Sequence, residues 1–154
     1  MSAVAPRMVA LPRGQTLIVR EVKPDDQTGL EALYASLDRD DRYLRFFSAY
    51  WPDERFFARK ADPDARPGFG LVAEVEGAGE ESSRIVGEAG YTLLPDGDGE
   101  LAMTVAEDWR GWLGPYLLDA LLEGAHDRGV PNLEADVLVT NRRMISVLRR
   151  GDTR

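Results

Sequence analysis

Hydrophobic positions recur at two spacings along this chain, and the switches between them mark out its elements. Residues 16–22 (TLIVREV) alternate and predict a first strand. Pro24-Asp25-Asp26 then supplies a turn and a helix N-cap, after which Leu30, Leu33, Tyr34 and Leu37 follow at helical spacing. A second helical piece starts near Asp40 and carries Tyr43, Leu44 and Phe47 on one side. Pro52-Asp53-Glu54 opens a third, short helix with Phe56 and Phe57. Three strand patterns come next, at 69–76, 84–94 and 100–105, separated by polar, glycine-containing turns short enough for antiparallel hairpins. From Pro115 to Arg128, Leu117, Leu118, Leu121, Leu122 and Ala125 form an apolar face opposite Asp119, Glu123 and Asp127. A strand at 133–139 and a helix at 141–150 complete the pattern, and residues 1–14 read as a flexible tail.

This order predicts an α/β (α+β) fold with a mixed, mostly antiparallel sheet flanked by helices, the helix from Pro115 making a crossover. A single domain at 15–154 accounts for the pattern, without internal repeats.

Composition narrows the function classes. The chain has 154 residues, 44% hydrophobic and 30% charged, the balance of a globular domain. A net charge of −8 argues against a duplex-binding surface, which needs clustered cations, but leaves room for a local basic pocket. Cysteine is absent, which removes disulfides, thiolate nucleophiles and cysteine metal sites, and the lone His126 builds no metal cluster. The first 14 residues, broken by Pro6 and Pro12, lack the continuous apolar core of a signal peptide. No apolar run reaches the roughly 20 residues that span a bilayer, so the expectation is a cytoplasmic protein.

The stretch 105–122 (VAEDWRGWLGPYLLDALL) concentrates the candidate chemistry. A strand runs through a basic, glycine-containing loop into a helix N-terminus, whose first amides have no internal partner and suit an anion. Arg110, Gly111, Trp112, Leu113 and Gly114 form that loop. The alternative is an ordinary strand–helix turn in which the glycines serve geometry alone. Glu100, on the opposite strand face from Leu101, Met103 and Val105, reads either as a general base or as a strand-edge carboxylate. Glu88 is the second candidate, because an interior glutamate on a strand needs a partner or a purpose. Asn141 reads as a helix N-cap. Trp112 fits stacking on a ligand or on a neighbouring chain.

With these residues in hand, the chain resembles the GNAT N-acetyltransferase superfamily. Arg110-Gly111-Trp112-Leu113-Gly114-Pro115 stands where that family has Arg/Gln-x-x-Gly-x-Gly/Ala, and Asn141-Arg142-Arg143-Met144 matches a second motif. Asp40-Asp41-Arg42-Tyr43-Leu44-Arg45-Phe46-Phe47 resembles bacterial protein-lysine acetyltransferases of the superfamily. The resemblance implies acetyl-CoA as co-substrate, held by Met103, Val105, Arg110, Gly111, Trp112, Leu113, Gly114 and Asn141. It implies direct attack by an amine, from a protein lysine or a small molecule, with Glu100 or Glu88 as base and no metal. Tyr43, Phe46, Phe47, Phe56 and Phe57 then become core or lid residues over the acceptor groove.

The chain departs from the family pattern in two places. The loop is one residue short, so Leu113 and Pro115 stand where glycine or alanine is usual, and proline offers no amide hydrogen. Two end strands usual in the family have no counterpart after the last helix, which reads as C-terminal truncation and leaves the 133–139 edge to a homodimer partner. These departures support an alternative: a catalytically impaired GNAT-like binding or regulatory module.

Overall fold

The computed structural model describes residues 6–46, 52–65, 67–77 and 83–135. Within them a six-stranded sheet runs in the order β1 to β6. Its strands are β1 (Arg7–Ala10), β2 (Thr16–Glu21), β3 (Gly68–Glu76), β4 (Arg84–Leu93), β5 (Gly99–Val105) and β6 (Leu133–Glu134). Neighbours from β1 to β5 pair antiparallel. The last pair, β5 with β6, is parallel through Gly99↔Leu133 and Glu100↔Glu134, and the connection between them is helix α4 (Leu113–Asp127). Helices α1 (Gln27–Ala35), α2 (Arg39–Phe46) and α3 (Glu54–Ala61) fill the connection between β2 and β3. The mixed sheet with a crossover helix is thus the fold class expected from the sequence.

One boundary is corrected. Arg7–Ala10, assigned above to a flexible tail, is a strand zipped to β2 from Arg7↔Val19 to Ala10↔Thr16. Its residues alternate half-buried and exposed. Four residues interrupted nearby by Pro6 and Pro12 are too short a pattern to read as a strand before the edge of β2 is known. Residues 136–154 lie outside the described residues, and with them the rest of the 133–139 strand, the 141–150 helix and Asn141.

Two faces of the sheet are covered, and strand alternation assigns each residue to one of them. Gly87 of β4 faces α4: a Cβ there would sit 3.0 Å from Leu117 Cδ1 and 3.2 Å from Leu113 Cδ2. Its partner across the strands is Val105, with Ala89↔Met103 and Tyr91↔Leu101 following in register. Leu113, Leu117 and Leu121 are fully buried against this face. The apolar stripe therefore drives helix packing, and burial of three leucines contributes on the order of 5–9 kcal/mol of transfer free energy.

The other face meets α1 and α3. Leu30, Leu33 and Tyr34 of α1 and Phe57 of α3 are buried there. Tyr34 packs edge-on against Phe57 and Phe56, with ring centroids 5.3 and 5.7 Å away. Asp53 caps α3 by accepting from the Phe56 amide at 3.1 Å, as its position before the helix suggested. Asp26, by contrast, does not cap α1 with its side chain. Its buried carboxylate instead receives a forked pair of hydrogen bonds from Arg20 at 2.7 and 2.8 Å, and one from the Lys23 amide at 2.8 Å. Burial pushes this carboxyl up, and the Arg20 and Lys23 contacts outweigh it, holding the pKa below its ordinary value.

Candidate active site

Register places a single row of residues on the α1–α3 side of the central strands. Val72, Gly70 and Gly68 of β3 lie beside Glu88, Gly90 and Thr92 of β4, which lie beside Thr104, Ala102 and Glu100 of β5. The glycines leave the middle of the row without side chains. Above them opens a groove of about 530 Å³, whose lining includes Arg45, Phe46, Phe56, Lys60, Glu88 and Glu100. Both candidate carboxylates face this groove, roughly 14 Å apart along the strands at about 3.4 Å per residue.

Their surroundings differ. Glu100 is exposed, at the second position of β5. Glu88 is 3% exposed and has partners on both oxygens. Tyr34 donates its hydroxyl to Oε1 at 2.6 Å, and the Lys60 ammonium lies 3.1 Å from Oε2. Thr104 in turn donates to the Tyr34 oxygen at 3.2 Å. Burial first, and the Glu88 charge second, push the Tyr34 pKa far above its ordinary value, so this phenol stays protonated as a donor. Arg45 lies within electrostatic reach of Tyr34 and Glu88; burial opposes its charge, and these two neighbours more than offset that. Its Nε is buried without a hydrogen-bond partner among the described residues.

The second feature stands at the far end of β5. The strand ends at Val105, a short 3-10 turn covers Glu107–Trp109, and α4 starts at Leu113. The helix thus begins two residues before Pro115, the expected start. Trp112 occupies the N-cap, and its carbonyl accepts the first helical bond, from Tyr116, at 3.1 Å. The first-turn amides of Leu113 and Gly114 are therefore without intrahelical acceptors, while the third first-turn residue, Pro115, has no amide hydrogen. Gly111 has φ +110°, a conformation that favours glycine, and both Gly111 and Trp112 are exposed. This donor set suits an anion, with one donor fewer than a helix start free of proline. Leu113 and Gly114 are buried as whole residues, the Leu113 side chain packing toward Gly87, so the exposed part of this loop is Gly111 and Trp112.

Arg110, which the resemblance assigns to the cofactor, makes contacts within the chain. Its guanidinium pairs with Asp41 of α2 at 2.9 Å, and its Nε donates to the Val105 carbonyl at 3.3 Å. Its backbone amide donates to the Glu107 carbonyl at 3.3 Å, and Asp108 faces Arg84 at 3.4 Å. Met103 is buried, and alternation points both Met103 and Val105 toward α4, so only their backbone is available to a ligand on the groove side. Phe46 and Phe56 line the groove, Phe57 belongs to the core, Phe47 is outside the described residues, and the placement of the Tyr43 side chain is likewise not described.

Four residues that the sequence reading did not put forward for the site stand at it or behind it: Lys60 lines the groove, Tyr34 and Thr104 lie behind Glu88, and Asp41 pairs with Arg110. Tyr34 sits at helical apolar spacing, which predicts its ring and hides its hydroxyl. Asp41 lies in the DDRYLRFF stretch already singled out, and Lys60 is one of only two lysines, so each carried a signal. Among the described residues there is no group of three or more His, Cys, Asp or Glu placed to hold a metal, and no helix long and apolar enough to cross a membrane.

Comparison with known proteins gives this geometry a family. The model of the acetyltransferase (GNAT) domain matches residues 16–153. Among solved structures, the GNAT domain of S. lividans PAT is 25% identical, with a TM-score of 0.80, covering 94% of this chain and 85% of that one. A GNAT-family acetyltransferase from Streptococcus pneumoniae is 23% identical, with a TM-score of 0.66 and coverage of 88% and 83%. An aminoglycoside N-acetyltransferase in complex with CoA shares the fold at 12% identity, with a TM-score of 0.64 and coverage of 91% and 89%. With the family match spanning nearly the whole chain and the same fold in these relatives, the chain belongs to the GNAT acetyltransferase family.

Proposed function

We propose that this protein transfers an acetyl group from acetyl-CoA to an amine, with the acceptor entering the groove and the cofactor pyrophosphate meeting the start of α4. One observation carries this reading: β5 joins the two features, presenting Glu100 to the groove at one end and leading into the free first-turn amides of α4 at the other. The residues that would hold the cofactor are the amides of Gly111, Trp112, Leu113 and Gly114, with the backbone of Met103 and Val105 along the arm. Arg110 shapes the loop through Asp41 and Val105. Asn141 remains a proposed contact from the family resemblance.

Of the two carboxylates, Glu100 is the better base. It is exposed to the groove, whereas both oxygens of Glu88 are engaged by Tyr34 and Lys60. Glu100 takes the ammonium proton directly or through water, the neutral amine attacks the thioester carbonyl, and the thiolate leaves and takes a proton from solvent. A protein lysine is the favoured acceptor, supported by the DDRYLRFF resemblance; a small amine is the alternative.

Calorimetric titration with acetyl-CoA tests the cofactor half of this reading, and absence of binding at millimolar ligand would sink it. Glu100→Gln then tests the base. The expected outcome is a fall in kcat of about 10²- to 10⁴-fold with acetyl-CoA binding retained, and unchanged turnover removes Glu100 from the role. Pro115 in the first turn and the engagement of Arg110 favour a second reading, that of a binding or regulatory module. Binding of acetyl-CoA without transfer to any amine would select it.

A further inference from the structure

We infer that Lys60 is itself an acetyl acceptor, a self-modification site inside the groove; this rests on the acetyltransferase reading above. Lys60 stands in the last turn of α3, and its side chain, 9% exposed, reaches into the groove. Its Nζ lies 3.1 Å from Glu88 Oε2 and 5.5 Å from the Phe56 ring centroid. It is a primary amine inside the groove, at the end nearer the cofactor loop and roughly 14 Å along the strands from Glu100 at about 3.4 Å per residue. Glu88 lies directly across from Thr104 of β5, the strand that leads into the cofactor loop.

Counter-ion duty alone does not call for lysine here. Of the 19 Lys and Arg residues, 17 are arginine, and the buried Asp26 takes its partner from Arg20. An arginine keeps its proton under all ordinary conditions, whereas a lysine can give one up and become a nucleophile. The lysine at position 60 is paired with a carboxylate at the distance a general base requires.

The step balances as follows. The Lys60 ammonium gives a proton to Glu88, and the freed Nζ lone pair forms a bond to the acetyl carbonyl carbon. The carbon–sulfur bond breaks, and the thiolate leaves as a thiol with the second nitrogen proton. Glu88 returns its proton to the solvent in the groove. The product amide carries no charge to balance Glu88 and keeps its acetyl group within the groove.

Lys23, exposed, is the only other lysine and serves as an internal control. The full chain is treated in parallel with acetyl-CoA and with a small amine-acylating reagent, an acetyl N-hydroxysuccinimide ester, and both lysines are quantified by peptide mass spectrometry. Without acetyl-CoA, the reagent should label Lys23 faster than Lys60, because Lys60 is buried and paired. With acetyl-CoA the order should reverse, at a rate independent of protein concentration. Glu88→Gln should slow Lys60 acetylation by about 10²-fold or more. Should that variant fail to fold, Lys60→Arg provides the check, and the acetyl-CoA-dependent mass increment on the 54–61 helix must vanish. Lys60 left unmodified, or modified no faster than Lys23, overturns the inference, as does a rate proportional to protein concentration or free labelling of Lys60 by the reagent. Calorimetry separates the failures. Binding of acetyl-CoA with Lys60 unmodified defeats this inference alone, whereas no binding defeats the acetyltransferase reading with it.

Discussion

Replacing Tyr34 with phenylalanine removes one buried oxygen beside Glu88 and leaves the ring where it is. The ring is fully buried and keeps its edge contacts with Phe56 and Phe57. What is lost is the 2.6 Å hydrogen bond to Glu88, the acceptor for Thr104 and the contact with Arg45. A hydrogen bond to a charged group contributes about 1.5–3 kcal/mol, so Tyr34→Phe should cost about 2–3 kcal/mol near neutral pH. For a chain of this size that corresponds to a fall in Tm of roughly 4–12 °C, or a shift of roughly 1–2 M in the urea midpoint at constant m. The pH dependence provides the sharper check. The folded pKa of Tyr34 is raised above the value near 10 that it has when unfolded, so the folded state holds this proton more tightly. Its contribution is complete below pH 10 and declines as pH rises above that, by up to about 1.4 kcal/mol per unit. The variant lacks this term, so the stability gap between wild type and Tyr34→Phe should narrow between pH 10 and 11 by about 1 kcal/mol. Urea unfolding at pH 7, 9, 10 and 11 measures it. A gap that stays constant or widens above pH 10 refutes the argument that Tyr34 is a buried, permanently protonated donor.

Two further outcomes follow from the same geometry. Arg110→Ala should change the acetyl-CoA dissociation constant by less than about tenfold, because the guanidinium is committed to Asp41 and the Val105 carbonyl; a larger loss in calorimetry would mean that Arg110 turns to the phosphates. Gly68→Ala should destabilise the fold by at least about 1–3 kcal/mol in urea unfolding, because φ is +153° and a Cβ would collide with the Tyr91 carbonyl oxygen. An alanine variant with wild-type stability would show that β3 and β4 separate there at little cost.

Much of this protein was legible without coordinates. The 2-residue and 3.6-residue periods located β2 to β5 and helices α1 to α4 to within a residue or two, because each element buries one face and its sequence records that face. The loop between β5 and α4 was legible as well, since glycine, arginine and a helix start are local features. Tertiary structure alone decided three things. It turned Arg7–Ala10 from a tail into a strand, because a four-residue edge has no pattern apart from the partner it pairs with. It divided the two glutamates, which look alike in sequence: alternation puts both on one face, but only the packing of α1 and α3 brings Tyr34 and Lys60 onto Glu88 and leaves Glu100 open. And it sent Arg110 to Asp41, 69 positions away in the chain. Sequence records what each residue must bury; which polar groups then meet depends on how separate elements dock, and that information is not local.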